Sequence, residues 1–142
     1  MRHYVYDSYQ EAQILSASPL GLVRLLYRGA LEAIATARRC LAARDIAGRT
    51  QAINKTLKIV TELAFSLDHQ KGAELSRTLM ELYDYIQRLL IDANCRQADP
   101  PLAEAQTLMT TLQEAWENCE SAPRARFAEQ QECAYTPVSC AG

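Results

Sequence analysis

Residues 17–43 read ASPLGLVRLLYRGALEAIATARRCLAA. Apolar residues recur there every three or four positions, at Val23, Leu26, Tyr27, Ala30, Ile34, Ala37 and Leu41. This spacing predicts an α-helix that buries one face. Ser18 is a favourable N-cap, and Pro19 stands at the first helical position, where its missing N–H costs little. The first helix is therefore expected to start at this Ser-Pro pair.

Three further segments show the same helical spacing. The second is expected to start after the N-cap candidate Asp45 and to end within residues 68–71, with Gly72 as its C-terminal break. The third and fourth are predicted over residues 73–94 and 99–121. Because the connections are short and no useful run of alternating apolar residues occurs, the sequence predicts an all-α fold, an antiparallel up-down four-helix bundle.

Both ends of the chain lie outside this pattern. Residues 1–16 have no strong helical period but contain several aromatic residues, so we expect an N-terminal arm that docks on the bundle, instead of a frayed terminus. The docking residues are expected to be Tyr6, Tyr9, Ile14 and Leu15. Residues 122–142 contain two prolines and no period, which predicts a mobile, disordered C-terminal tail after a single domain over residues 1–121.

The predicted helices carry more apolar residues than one buried face requires. In the first helix Leu20, Leu22 and Leu25 lie beside the main stripe, and in the second Ile59 and Leu63 do so. The third helix has two apolar lines: Leu75, Leu82, Leu89 and Ala93 form one, and Leu79, Tyr83, Ile86 and Leu90 the other. This surplus is covered by the arm, by another subunit or by a binding partner, or else it belongs to a wide, irregular core. The pattern alone leaves these alternatives open.

The charge of the chain argues against several classes of partner. The formal net charge is −2 and the sequence pI is about 5.7, so the chain lacks the basic surface of a nucleic-acid binder. The main cationic cluster, Arg38, Arg39 and Arg44, is expected on a solvated helix face. No signal peptide and no apolar run of membrane-spanning length is present, so we expect a cytoplasmic protein that does not insert into a membrane.

Residues suited to catalysis or metal binding are scarce. The five cysteines form no C-x-x-C pair and only two histidines accompany them, so we expect free thiols and no metal site. No Gly-rich phosphate loop and no nucleophile motif occurs, and the Glu-x-x-His signature of metal-binding bundles is absent. The sequence therefore predicts neither an enzyme nor a cofactor-binding protein.

Several short strings, read in order, resemble a known family. They are YDSY at 6–9, ASP at 17–19, LYRGA at 26–30, SLD at 66–68, KG at 71–72, LYDY at 82–85, AN at 93–94 and Trp116. Each string is weak by itself, but the ordered set is specific. It resembles the flagellar export chaperones of the FliS family over about residues 4–119.

The resemblance implies a cytoplasmic helical bundle that binds the unfolded C-terminal segment of flagellin. Binding would prevent premature polymerisation and help to deliver flagellin to the flagellar type III export gate, and the family's N-terminal arm can lie over part of the client groove. A flagellin terminus is an amphipathic helix former, which suits apolar grooves. The expected client-binding residues are Tyr6, Tyr9, Ile14, Leu15, Leu22, Leu25, Ile59, Leu63, Leu79, Tyr83, Ile86 and Leu90.

Two features depart from the family pattern, and two other functions compete with it. Arg28 stands where an acidic residue is common, and the tail after Ser121 is longer than usual. The string HQKG at 69–72 is similar to the motif of histidine phosphotransfer domains, but its spacing is one residue short, so His69 is interpreted as a loop residue. The other alternative is a bare dimerisation module, whereas the chaperone interpretation favours a monomer, with a homodimer as the alternative.

Overall fold

The computed structural model describes residues 19–67 and 72–121, with side chains from residue 20 onward in the first range and up to residue 118 in the second. This part of the chain contains four helices: α1 (Pro19–Ala42), α2 (Ile46–Phe65), α3 (Ala73–Arg96) and α4 (Asp99–Ser121). The predicted all-α four-helix fold is confirmed. The predicted arm and tail, and the N-cap candidate Ser18, lie outside the described residues.

The helix boundaries agree with the sequence except at the end of α2. Asp45 is the N-cap of α2, as predicted, because its carboxylate accepts the Gly48 N–H at 3.0 Å. The helix stops at Phe65, earlier than predicted, and the backbone N–H and hydroxyl of Ser66 both donate to the Glu62 carbonyl. Gly72 has a φ of 68° and forms the N-cap of α3, so it does not end α2 as predicted.

Contacts between helices establish an antiparallel ring in which α1 neighbours α2 and α4, and α3 neighbours the same two helices. A Cβ placed on Gly29 would come within 3.3 Å of Ile59 Cδ1, which sets α1 against α2. Three side-chain hydrogen bonds set the other registers: Gln87 with Thr61, Tyr85 with Glu104, and Arg38 with Asp99. One end of the bundle therefore holds the starts of α1 and α3 and the ends of α2 and α4.

The core is built from the predicted helical stripes. Its large buried side chains are Val23, Tyr27 and Ile34 of α1, Ile53, Val60 and Leu63 of α2, Leu79, Tyr83, Ile86 and Leu90 of α3, and Leu102, Met109 and Trp116 of α4. Of the two apolar lines on α3, the one with Leu79 and Tyr83 enters the core, and the one with Leu75, Leu82 and Leu89 is half-buried at its edge. Part of the apolar surplus is thus a wide core.

A buried polar network crosses the core. The hydroxyls of Tyr27 and Tyr83 are 2.6 Å apart, and the Trp116 indole N–H donates to the Tyr27 hydroxyl at 3.2 Å. These three residues come from α1, α3 and α4. Because buried polar groups require partners, the network favours one relative position of the three helices.

Arg38 corrects one expectation about charge. Its Nε and one Nη each donate to a carboxylate oxygen of Asp99 at 2.8 Å, and its other Nη donates to Gln106 at 2.6 Å. Arg38 therefore joins α1 to α4 instead of lying on a purely solvated face. The hydrogen bonds from Arg38 and its positive charge lower the pKa of Asp99 below its ordinary value, although partial desolvation opposes the shift.

Arg49 forms a second polar link, between α2 and the last turn of α3. The side chain is buried; its Nε donates to Asn94 at 2.9 Å and its Nη1 to Gln97 at 3.5 Å. Its positive charge lies at the C-terminus of α3, where the helix dipole favours a cation. Gln97 itself adopts a φ of 51° and ends the helix by donating its N–H to the Ala93 carbonyl.

Candidate functional site

The twelve residues predicted to bind a partner fall into three groups. Tyr6, Tyr9, Ile14 and Leu15 lie outside the described residues. Leu63, Leu79, Tyr83, Ile86 and Leu90 are buried in the core cluster. Leu22, Leu25 and Ile59 are half-buried and remain partly open to solvent.

The five core residues are not on an open groove. Each of them is at most 4% exposed, so a partner reaches them only if the bundle opens. The sequence suggested a surface role for these residues because each lies on one of two adjacent apolar lines of its helix. The packing shows that these lines face the bundle interior, and a role of these five residues in partner binding stays a prediction.

The three half-buried residues come together along the junction of α1 and α2. Gly29 of α1 approaches Ile59 of α2, and Leu25 and Leu22 lie one and two turns before Gly29 on the same side of α1. We call Leu22, Leu25, Gly29 and Ile59 the α1–α2 seam. The missing side chain of Gly29 lets the two helices come close, and the leucines and Ile59 lie along the same junction.

A second apolar surface lies on the other side of α2 and was not predicted as a site. Among the described residues, three of the four exposed large hydrophobic side chains are here: Ile46 at 59% exposure, Phe65 at 76% and Ile91 at 52%. Half-buried Leu57 and Met80 lie on the same sides of α2 and α3. We call Ile46, Leu57, Phe65, Met80 and Ile91 the α2–α3 strip.

The hydrogen bond between Gln87 and Thr61 fixes the register of the strip. Ile91 is one turn after Gln87, and Leu57 is one turn before Thr61, so both lie on the same side of their helices as this bond. The sequence placed Ile46 on the buried stripe of α2, but the residue is 59% exposed at the first position of the helix. Phe65 was missed because it lies off every predicted stripe, at the last residue of α2.

Candidate metal ligands and thiols are further features of the described residues. No group of three or more His, Cys, Asp and Glu side chains in residues 19–67 and 72–118 is placed to hold a metal ion. Cys40 and Cys95 are unpaired thiols. His69, on which the phosphotransfer alternative depends, lies outside the described residues. None of the helices in this part of the chain combines the length and the apolar content that crossing a membrane requires.

A polar cavity is a further concave feature of the described residues. It has a volume of about 490 Å³, opens widely to solvent, and is lined by Ala35, Arg38, Arg39, Ala42, Asp99 and Gln106. Asp99 and Gln106 already accept hydrogen bonds from Arg38, and Arg39 donates to Thr36. The arrangement explains how α1 and α4 are joined, and the apolar surfaces on either side of α2 are the stronger candidates for binding.

A helical bundle with open apolar surfaces has the architecture of a protein-binding module. The family model described as "Flagellar protein FliS" matches residues 2–123, and the chain belongs to this family.

Curated relatives cover most of the chain. The flagellar secretion chaperone FliS of Salmonella typhimurium (strain LT2) is 35% identical over 122 residues, which are 85% of this chain and 89% of the relative. The protein of the same name from Bacillus subtilis (strain 168) is 30% identical over 84% of this chain and 88% of its own length. That from Escherichia coli (strain K12) is 31% identical over 80% and 84%, respectively. The predicted family resemblance is confirmed.

Proposed function

We propose that this chain is a cytoplasmic flagellar secretion chaperone that binds the unfolded C-terminal segment of flagellin and prevents its premature polymerisation. The chaperone and flagellin together would then engage the flagellar export gate. Family membership supports the role in flagellar export. The observation that carries the client-binding proposal is the open apolar α1–α2 seam, where three residues expected to bind the client come together.

An amphipathic client helix would bind the seam with its apolar face. Leu22 and Leu25 present side chains along α1, and Ile59 presents one from the neighbouring helix, so the surface contacts one stripe of a partner helix. A segment that folds as it binds buries on the order of 1,000–3,000 Å². The seam is smaller than that, so the client would extend beyond it, and the arm residues Tyr6 and Tyr9 are proposed as further contacts.

The test compares leucine substitutions at matched degrees of burial. Leu25→Glu should weaken binding of a flagellin C-terminal peptide by about tenfold or more, because the charge would lose water at the contact. Leu82→Glu is the control, since Leu82 is also half-buried but lies on α3, which takes no part in the seam. It should change peptide affinity by less than about threefold. Calorimetry measures the affinity, and circular dichroism verifies the fold of each variant.

Two results would contradict the proposal. If the wild-type chain does not bind the peptide, the function is wrong. If Leu25→Glu and Leu82→Glu weaken binding equally while both remain folded, the seam is not the site. Leu90→Glu serves as the reference for unfolding, because Leu90 is fully buried and a charge there should disrupt the bundle. Light scattering on the same samples tests the proposed monomer against a homodimer.

A further inference from the structure

The α2–α3 strip is a line of apolar residues, interrupted by the Gln87–Thr61 hydrogen bond, that the proposed client site does not use. From Ile46 to Phe65 it follows α2 for about 28 Å, at the rise of an α-helix. Single exposed hydrophobic residues are ordinary on proteins, but several along one face indicate a surface that something covers. The strip is therefore a candidate docking surface.

We propose that the C-terminal segment of this chain, residues 122–142, folds back over the α2–α3 strip. The segment contains three large apolar residues, Phe127, Tyr135 and Val138. Its composition alone predicted a disordered tail, and the strip supplies the apolar partner that the tail lacks by itself. The inference concerns a surface separate from the α1–α2 seam and goes beyond the proposed function.

The path of the chain supports this occupant. Helix α4 ends at Ser121, at the end of the bundle where α2 ends at Phe65 and α3 begins. The six residues from Ser121 to Phe127 span up to about 20 Å when extended. Neighbouring helix axes are about 8–10 Å apart, so Phe127 can pass over α3 and reach Phe65 and Met80.

The spacing along the tail also matches the strip. Met80 and Cys95 are separated by fifteen residues of α3, or about 22 Å. Six extended residues from Phe127 to Cys133 cover about 20 Å. A tail that follows α3 from Phe127 therefore brings Cys133 and Tyr135 level with Ile91 and Cys95.

Charges of both signs lie along the proposed path. Arg124 and Arg126 precede Phe127, and the start of α3 presents exposed Glu74 and Glu81. Glu129 and Glu132 follow Phe127, and exposed Lys58 lies on α2 at the middle of the strip. Exposed Arg77 stands between Glu74 and Glu81, and exposed Glu62 lies one turn beyond Lys58, so charge neither favours nor opposes this direction of docking.

Weak contacts are sufficient for this arrangement. A segment joined by a short flexible linker has an effective concentration in the millimolar range at a surface that it can reach. An intrinsic dissociation constant of about 1 mM is then enough to cover the strip about half of the time. The proposal needs no tightly folded tail.

Native cysteines allow a direct test. Cys95 is exposed one turn beyond Ile91 on α3, whereas Cys40 is half-buried near Gly48 at the junction of α1 and α2. The full chain with Cys119→Ser, which removes the thiol closest to the tail in sequence, would be oxidised with copper phenanthroline at low protein concentration. Mass spectrometry would then map the disulfides. We expect intramolecular bonds from Cys95 to Cys133 or Cys140 at about ten times the yield of those involving Cys40.

Substitutions distinguish docking from random collision. Phe127→Ala with Tyr135→Ala should lower the yield of the Cys95 bonds at least about fivefold, and the control Gln131→Ala should leave it unchanged. Equal yields for Cys95 and Cys40, or an unchanged yield after the double substitution, would overturn the proposal. Intermolecular Cys95–Cys95 bonds as the main product would also overturn it and would identify a second copy as the occupant. The flagellin peptide is absent from this experiment, so the result is independent of the proposed function.

Discussion

Tyr27 illustrates how one residue joins several helices. Its hydroxyl accepts from Trp116 and lies 2.6 Å from the hydroxyl of Tyr83, with all three side chains at most 4% exposed. Tyr27→Phe removes an oxygen that two buried groups contact. We expect a loss of about 1–3 kcal/mol in the free energy of unfolding, measured by urea denaturation.

Tyr85→Phe is the matched control for this prediction. The Tyr85 hydroxyl also bonds to another helix, at Glu104, but the residue is 41% exposed and water can replace the partner. Loss of this hydroxyl should lower the free energy of unfolding by less than about 1 kcal/mol. Equal destabilisation by the two substitutions would show that burial of the Tyr27 network does not determine its contribution.

Asp99 gives a prediction with a defined pH dependence. Arg38 lowers its pKa in the folded state, so the carboxylate stabilises the fold above its unfolded pKa of about 3.9, and this contribution is lost as the pH falls through the lower folded value. Asp99→Asn should destabilise the protein at pH 7 by at most about 1 kcal/mol, because both side chains are more than one-third exposed.

Urea denaturation at two pH values tests the role of this ion pair. At about pH 2.5 the difference between wild type and Asp99→Asn should shrink, because protonation removes the same charge. High salt at pH 7 should also reduce the difference by screening. A difference that persists unchanged at low pH would mean that the asparagine disturbs the start of α4 for another reason.

At the scale of the element, two glycines should respond differently to the same substitution. A Cβ on Gly48 would lie 2.8 Å from Cys40 Sγ and closer still to the Asp45 carboxylate that caps α2. Gly48→Ala should therefore lower the free energy of unfolding by about 1–2 kcal/mol, because the added methyl group displaces the cap and crowds Cys40. Glycine has a low helix propensity, but at position 48 it leaves space for the Asp45 carboxylate that caps the helix.

Gly29→Ala should be neutral or stabilising. The added Cβ would meet only Ile59 Cδ1, at 3.3 Å, which is the end of a half-buried side chain that can move. Within a helix, alanine in place of glycine stabilises the fold by about 0.5–1 kcal/mol. Midpoints of urea denaturation would rank the two variants, and a greater loss from Gly29→Ala would show that α1 and α2 cannot tolerate any displacement at the seam.

The limits of sequence reasoning are also visible at this scale. Spacing predicted the four helices, and a local cap at Asp45 was read correctly because its partner, Gly48, is three residues away. Spacing alone could not decide which apolar line of α3 faces inward, because that depends on where α2 and α4 lie. The bond from Arg38 to Asp99 spans 61 residues and has no local signal.

At the scale of the whole molecule, α2 separates two apolar surfaces with different neighbours. The α1–α2 seam lies beside the start of α1, from which the N-terminal arm extends, and the α2–α3 strip begins where α2 ends. The sequence predicted the residues of the seam through their surplus apolar lines. It did not predict the strip, because exposure of Phe65 and Ile46 depends on how the helix ends are covered.

The N-terminal arm is expected to compete with the client for apolar surface. Residues 1–10 contain Tyr6 and Tyr9, and Ile14 and Leu15 connect them to the start of α1. An arm attached there has a high effective concentration at the seam. It would cover apolar surface in the free protein and yield to a larger partner, so its own docking free energy opposes client binding.

Deleting residues 1–10, with the rest of the chain unchanged, tests this competition. The deletion should increase binding of a hydrophobic dye by the free protein, because apolar surface is uncovered. It should also tighten binding of the flagellin C-terminal peptide by about tenfold if docking of the arm contributes about 1.4 kcal/mol. Tyr6→Ala with Tyr9→Ala should reproduce most of the effect, whereas Gln10→Ala should not. If the deletion weakens peptide binding and leaves dye binding unchanged, the arm contacts the client directly and does not compete with it.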